Sequence, residues 1–185
     1  MSTTTAPMSF AKARELALML VENLGRYCDR IEIAGSIRRG KDWINDIEVV
    51  CIPKMVPVEP VTDLFGNVSN PGEKQRDPNF VDVIKWFSDT IVKGQPSTGK
   101  YIQFLTRTGV KVDVFTATPD NWGYILAIRT GSAEFSKGLA HRWKKLGYEG
   151  VDGMLTRFGK PVPLKEERDL FNLLQLPWVP PSERA

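Results

Sequence analysis

At 185 residues, 42% of them hydrophobic and 25% charged, the chain can form one compact domain or two small subdomains around a modest core. No apolar run approaches the length of a membrane span, which argues against a membrane partner. A net charge of +3 leaves nucleic-acid binding to local charge, and a single histidine argues against a His-rich metal centre or a histidine-based triad.

Met1–Met8 is polar and lacks a signal-peptide core, which predicts a cytoplasmic protein. Ser9 reads as an N-cap, and Phe10, Ala13, Ala17, Leu20, Leu24 and Tyr27 follow at helical spacing as one apolar face. Cys28 and Cys51 stand in unrelated contexts and read as reduced core residues. Ile31-Glu32-Ile33 predicts a strand that ends in a tight turn at Ala34-Gly35-Ser36. Asp46–Ile52 predicts a second, mostly buried strand closed by Pro53. Lys54–Asn79, with Pro57, Pro60, Gly66, Pro71, Gly72 and Pro78, reads as a long loop.

Phe80, Val83, Ile84, Phe87 and Ile91 predict a second helix. Tyr101–Arg107 and Val110–Ala117 predict a hairpin turned at Thr108-Gly109. Thr118-Pro119 reads as the start of a helix running toward Ile128, and Ala133–Leu146 as another, stopped by Gly147. A short strand, a helix over Glu166–Gln175 and a proline-rich end complete the chain. Trp43, Trp122, Trp143 and Trp178 read as packing residues, and His141 as a surface residue.

Three carboxylates carry the chemistry. Residues two apart on a strand share a face, so Asp46 and Glu48 project together while Ile47 and Val49 point the other way. Asp113, between Val112 and Val114 on a later strand, joins them if the strands are neighbours. Clustered carboxylates repel one another unless a cation neutralises them. Oxygen ligands without histidine or thiolate select Mg2+ or Mn2+ over zinc. Two such ions about 3.5–4 Å apart clamp the attacking and leaving oxygens of an in-line phosphoryl displacement. Gly35-Ser36 offers backbone amides and a hydroxyl to phosphate oxygens, and Arg38, Arg39 and Lys41 follow it. An arginine there neutralises charge on a leaving pyrophosphate. Between Arg129 and Lys145 five cations (Arg129, Lys137, Arg142, Lys144, Lys145) face one acid, Glu134. Phosphate binding and a solvated helix face account for that run equally well.

The combination of hydrophobe-Gly-Ser, nine residues, Asp-hydrophobe-Glu and a third acid resembles the DNA polymerase beta superfamily of nucleotidyltransferases. It stands here as AGSIRRGKDWINDIEVV, residues 34–50, with VKVDVF, residues 110–115. GSIRRG, NWGYILAIRTGS and ERDLFNLLQLPWVPPSER are similar to segments of the family X DNA polymerases, in the right order.

The resemblance implies an α+β protein. A nucleotidyltransferase palm over residues 1–118, with a mixed or antiparallel sheet flanked by helices, precedes a small, mainly helical thumb over residues 119–185. It implies that Asp46 and Glu48 bridge two Mg2+ ions, with Mn2+ able to substitute, and that Asp113 completes the catalytic site. It also implies that Gly35, Ser36 and Arg39 hold the triphosphate of a dNTP, and that Gly131 and Ser132 lie beside its sugar. The expected partner is primer–template or gapped DNA, gripped by Arg129, Lys137, Arg142, Lys144 and Lys145. The expected protein is a monomer acting in repair, in the cytoplasm or, for a virus, the host cytoplasm. No amino-terminal lyase or helix-hairpin-helix domain is expected, as in the minimal polymerases of some large DNA viruses.

The sequence departs from the family at Glu48, where Asp is usual, at Asn45, where Gly is common, and at Ile128-Arg129, which replaces a Tyr-Phe pair that helps to reject ribonucleotides. Two other readings remain: a nucleotidyltransferase acting on RNA, protein or a small molecule, and a non-catalytic DNA-binding scaffold. Three uncompensated acids facing a DNA channel weigh against the scaffold.

Overall fold

The structure, a computed structural model, describes residues 7–62, 64–65, 68–70 and 72–185. Met1–Ala6 of the polar amino terminus, and Gly66 and Pro71 of the expected loop, lie outside the described residues.

A short strand β1 (Met8–Ser9) leads into helix α1 (Phe10–Gly25), whose Ala13, Ala17, Leu20 and Leu24 are buried at the spacing the sequence predicts. Ser9 flanks the helix in extended conformation, but its side chain makes no cap bond. Strand β2 (Cys28–Ile33), the four-residue helix α2 (Gly35–Arg38), strand β3 (Trp43–Ile44) and strand β4 (Ile47–Pro53) follow, with β3 pairing β1. Beyond them come β5 (Met55–Pro57), β6 (Val61–Thr62), β7 (Val68–Ser69), β8 (Lys74–Arg76), helix α3 (Pro78–Phe87), β9 (Ser88–Lys93), β10 (Tyr101–Thr106) and β11 (Lys111–Thr116).

The main sheet has the order β2-β4-β11-β10-β9 and is mixed: β4 and β11 run parallel, and the other neighbours antiparallel. A central strand covered on both faces needs a continuous apolar run rather than alternation, and Val49-Val50-Cys51-Ile52 supplies one. Ile47, Val49, Cys51, Val112 and Val114 face a core shared with α1 and α3. Val50, Ile52 and Phe115 face the opposite way and pack against Trp122 and Leu126. Cys28 and Cys51 are buried and unbridged.

Several expectations are corrected. Phe80, Ile84, Phe87 and Ile91 keep helical spacing across the real end of α3 at Phe87, and Ile91 belongs to strand β9. The 54–79 segment is not simply a loop: β5 pairs β8 and, between them, β6 pairs β7. Asp46 lies just before β4 rather than inside it. Trp43, expected to pack, is 68% exposed, whereas Trp122 and Trp143 are buried and Trp178 stacks edge-on with Phe171 at 5.1 Å.

Helix α4 spans Trp122–Thr130 and starts later than Thr118-Pro119 suggests. Asn121 Oδ1 accepts hydrogen bonds from the Thr118 amide (2.6 Å) and hydroxyl (3.2 Å), which turns these residues away from the helix. Helix α5 (Ala133–Lys145), strands β12 (Glu149–Val151), β13 (Met154–Arg157) and β14 (Lys160–Val162), and helix α6 (Glu167–Leu173) complete the fold. The three strands form a sheet of their own where one short strand is predicted. Ala127, Leu139, Trp143, Leu155, Leu164, Leu170 and Phe171 make a separate core, so α4 feeds both the main-sheet side and this one. Among the described residues no helix is long and apolar enough to cross a membrane.

Candidate active site

Parallel pairing of β4 with β11 sets Glu48 directly opposite Asp113. Both lie on the sheet face that continues as Val50 and Phe115 under α4, and Asp46 precedes β4 at the same edge. The three predicted acids therefore share one surface. They do not close into a cage, since among the described residues no three His, Cys, Asp or Glu side chains have metal-holding geometry. Lys111 stands among them, with Nζ 2.6 Å from Asp46 Oδ2 and 3.9 Å from Asp113 Oδ2.

Asp113 is buried, and its Oδ1 accepts hydrogen bonds from Tyr101 Oη (2.9 Å) and Gln103 Nε2 (2.8 Å). Burial and the Asp113 carboxylate push the Tyr101 hydroxyl well up, so it stays protonated and donates. Burial, then the negative charges of Asp46 and Asp113, push the Glu48 carboxyl up to about 7, against the opposing pull of Arg129 and Arg39. An oxygen-only set whose charges repel in this way matches a hard divalent cation.

Ala34 donates its amide to the Glu48 carbonyl at 2.8 Å, which fixes the start of α2 against β4. Gly35 has φ +60, and a Cβ built on it would lie 1.8 Å from Glu48 Oε2. The left-handed backbone favours glycine there, and a β carbon would also require the Glu48 carboxylate, which lies over this turn, to move. The predicted Gly-Ser turn is thus the opening of a short helix, with Ser36 in its first turn. Arg39 Nη1 donates to the Thr130 carbonyl at 2.6 Å, while its buried Nε has no hydrogen-bond partner within the protein. Arg38 points elsewhere, to Glu167 and Thr130.

Gly131 and Ser132 form the α4–α5 junction, next to the Thr130 carbonyl that Arg39 holds. Ser132 Oγ accepts from the Phe135 amide at 3.1 Å and caps α5, and the Ser132 amide donates to the Arg184 carbonyl at 2.9 Å. The five predicted DNA contacts divide. Lys137, Lys144 and Lys145 are exposed on α5, as is His141, while Arg142 Nε donates to the Leu174 carbonyl at 3.0 Å. Arg129 is on α4, apart from that helix, with its guanidinium 4.0 Å from the Phe115 ring centre on the acid side of the sheet.

Sequence reasoning missed Tyr101, Gln103 and Lys111. Their alternation with Asp113 across a hairpin carries a signal, because Gln103 pairs with Asp113 in register. Tyr101 stacks on Phe115 at 5.0 Å, and this column of Tyr101, Phe115 and Arg129 flanks the acids.

A mixed five-stranded sheet bearing acids on one face is followed by a helical and three-stranded unit, and within it residues 125–185 match the family described as DNA polymerase beta thumb. Among solved structures the chain is similar to Leishmania infantum polymerase beta in a ternary P/T complex. That match has 16% identity and a TM-score of 0.72, and covers 99% of this chain and 78% of that one. No curated protein matches the sequence.

Proposed function

We propose that the protein is a DNA-directed DNA polymerase of the X family, which adds dNTPs to a primer 3′ hydroxyl and fills gaps in repair. The Glu48–Asp113 register beside the Gly35 turn carries this reading, because it puts a phosphate-binding turn and paired acids on one surface. Asp46, Glu48 and Asp113 would hold two Mg2+ ions, which Mn2+ could replace. When bound, such ions lower the pKa of an attacking hydroxyl and neutralise a leaving pyrophosphate. The Lys111 ammonium, 2.6 Å from Asp46, already meets part of that demand for positive charge.

Tyr101 and Gln103 hold Asp113 Oδ1 and leave Oδ2 for the reacting side. Gly35 and Ser36 bind the triphosphate with backbone amides and a hydroxyl, and the Arg39 guanidinium, held by the Thr130 carbonyl, adds positive charge beside the same anion. Gly131 and Ser132 border the sugar. Arg129, displayed on Phe115 beside the acids, meets the template or the nucleotide, and Lys137, Arg142, Lys144 and Lys145 meet the duplex. Residues 1–118 act as palm and 119–185 as thumb, in a cytoplasmic monomer.

One observation favours the non-catalytic scaffold as a second reading: the Lys111–Asp46 pair compensates an acid without a metal. Primer extension with Mg2+ on templated, gapped and single-stranded substrates decides between them. Wild type is expected to extend the templated and gapped primers. Asp113→Ala is expected to lose on the order of 10³-fold, comparable to removing a positioned transition-state group, with DNA binding retained. Equal extension by the folded variant would remove Asp113 from the site.

A further inference from the structure

Phe158 is 91% exposed and adopts φ +52, a left-handed conformation that is an outlier for a bulky residue. With Gly159, at φ +73, it forms the two-residue turn between β13 and β14, where Arg157 pairs with Lys160. Turns of this kind are ordinarily made by Asn-Gly or Asp-Gly, so folding gives no reason for phenylalanine here. The Arg157 guanidinium lies 5.1 Å from the Tyr148 ring centre and 5.4 Å from that of Phe158. Two rings and a cation thus form one ridge. Lys160 is exposed at the tip, and Lys144 and Lys145 are exposed at the end of α5, just before Tyr148. The neighbouring strand contributes one acid, Glu149, opposite Thr156.

We propose that this hairpin tip is a nucleic-acid contact in which Phe158 stacks on an unpaired base beside the duplex. Arg157 and Lys160 hold the adjoining phosphates. Every base has a π-face and every nucleotide a phosphate, so a ring between two cations grips a single strand without reading its sequence. One ring at the apex of a narrow turn offers a membrane or an acidic protein little apolar area, but it matches the size of one base. The choice of primer–template as the partner rests on the polymerase reading above.

The test uses the full chain and Phe158→Asn, which suits a left-handed turn, with Phe158→Trp to restore a ring. Anisotropy titrations compare a blunt duplex with the same duplex carrying a 5′ single-stranded overhang. A 2-aminopurine at the first unpaired position reports stacking. Phe158→Asn is expected to weaken overhang binding by about tenfold, to leave the blunt duplex within about twofold, and to abolish the 2-aminopurine change, while Phe158→Trp keeps all three. Unchanged overhang binding, equal loss on both DNAs, or a ring dependence confined to anionic phospholipid vesicles would overturn the contact. Wild-type extension is measured in parallel. A chain that extends primers with an indifferent Phe158 sinks the hairpin contact alone. Ring-dependent overhang binding by a chain that extends nothing sinks the polymerase reading alone.

Discussion

Arg38 grips both carboxylate oxygens of Glu167, with Nη1–Oε1 at 2.8 Å and Nη2–Oε2 at 2.7 Å, and so ties α2 beside the candidate site to α6. The same Nη1 donates to Thr130 Oγ1 at 2.8 Å, and Arg184 reaches Glu167 Oε1 from the other side at 2.5 Å. Glu167 and Arg184 are buried, so the cluster joins the carboxyl-terminal segment, the α4–α5 junction and the Gly35 helix.

Glu167→Ala is expected to destabilise the protein by about 3–5 kcal/mol, because it leaves the buried Arg184 guanidinium without its counter-charge, while Arg38 keeps Glu32 at 3.4 Å. Urea unfolding of the purified variant checks this. A loss within the range of a surface substitution would mean that water replaces the carboxylate freely.

Gly35→Ala should harm both stability and the site. The left-handed backbone costs a residue with a β carbon about 1–2 kcal/mol, and the added carbon would also meet Glu48 Oε2. Expected outcomes are a lower unfolding midpoint and a drop in extension larger than the stability loss explains. A stable, fully active Gly35→Ala would show that Glu48 has another place to go.

Glu48 makes stability depend on pH in the absence of metal. Its folded-state pKa of about 7 lies above the ordinary 4.5, so the native state holds this proton more tightly than the unfolded chain. Its contribution is complete below 4.5, declines as pH rises, and is lost above about 7. Glu48→Gln cannot ionise. In EDTA it should therefore gain on wild type between pH 5 and pH 8, and Mg2+ should narrow the difference by stabilising only the wild type. Denaturant unfolding at the two pH values measures this, and a difference that does not change with pH would contradict it.

Lys144 and Lys145 are exposed at the end of α5, so their reversal to Glu should spare the fold. If they meet phosphates, log affinity for duplex DNA falls with log salt at a slope of about −0.9 per neutralised phosphate, and the double variant flattens that slope. All sequences should weaken alike, since backbone contacts carry no base information. Coincident slopes would assign this helix face to solvent.

The sheet and its acids were legible because strand alternation and the Asp-hydrophobe-Glu spacing are local. Their meeting was conditional on β4 and β11 being neighbours, which no local pattern states. Ile91 misled because it continued the helical period of Phe80, Ile84 and Phe87 into a strand. The β5–β8 and β6–β7 ribbons were hidden by their prolines and glycines, which mark turns and also edge strands. Lys111, Tyr101 and Gln103 were missed because an amphipathic strand shows such residues whether or not they face an acid. Arg129 stands on α4 and the other four cations on α5, a division that a run of charges along the sequence does not display.

The parallel pairing of β4 and β11 also bears on how the molecule forms. Residues 54–110 lie between these strands, so Asp46 and Glu48 emerge from synthesis well before Asp113 can join them. Contacts of such long sequence separation form late and slow folding. Assembly of the carboxylate surface is then a readout of how the main sheet folds: during refolding, protection of the β4 amides that face β11 should rise in step with that of β11, never ahead of it.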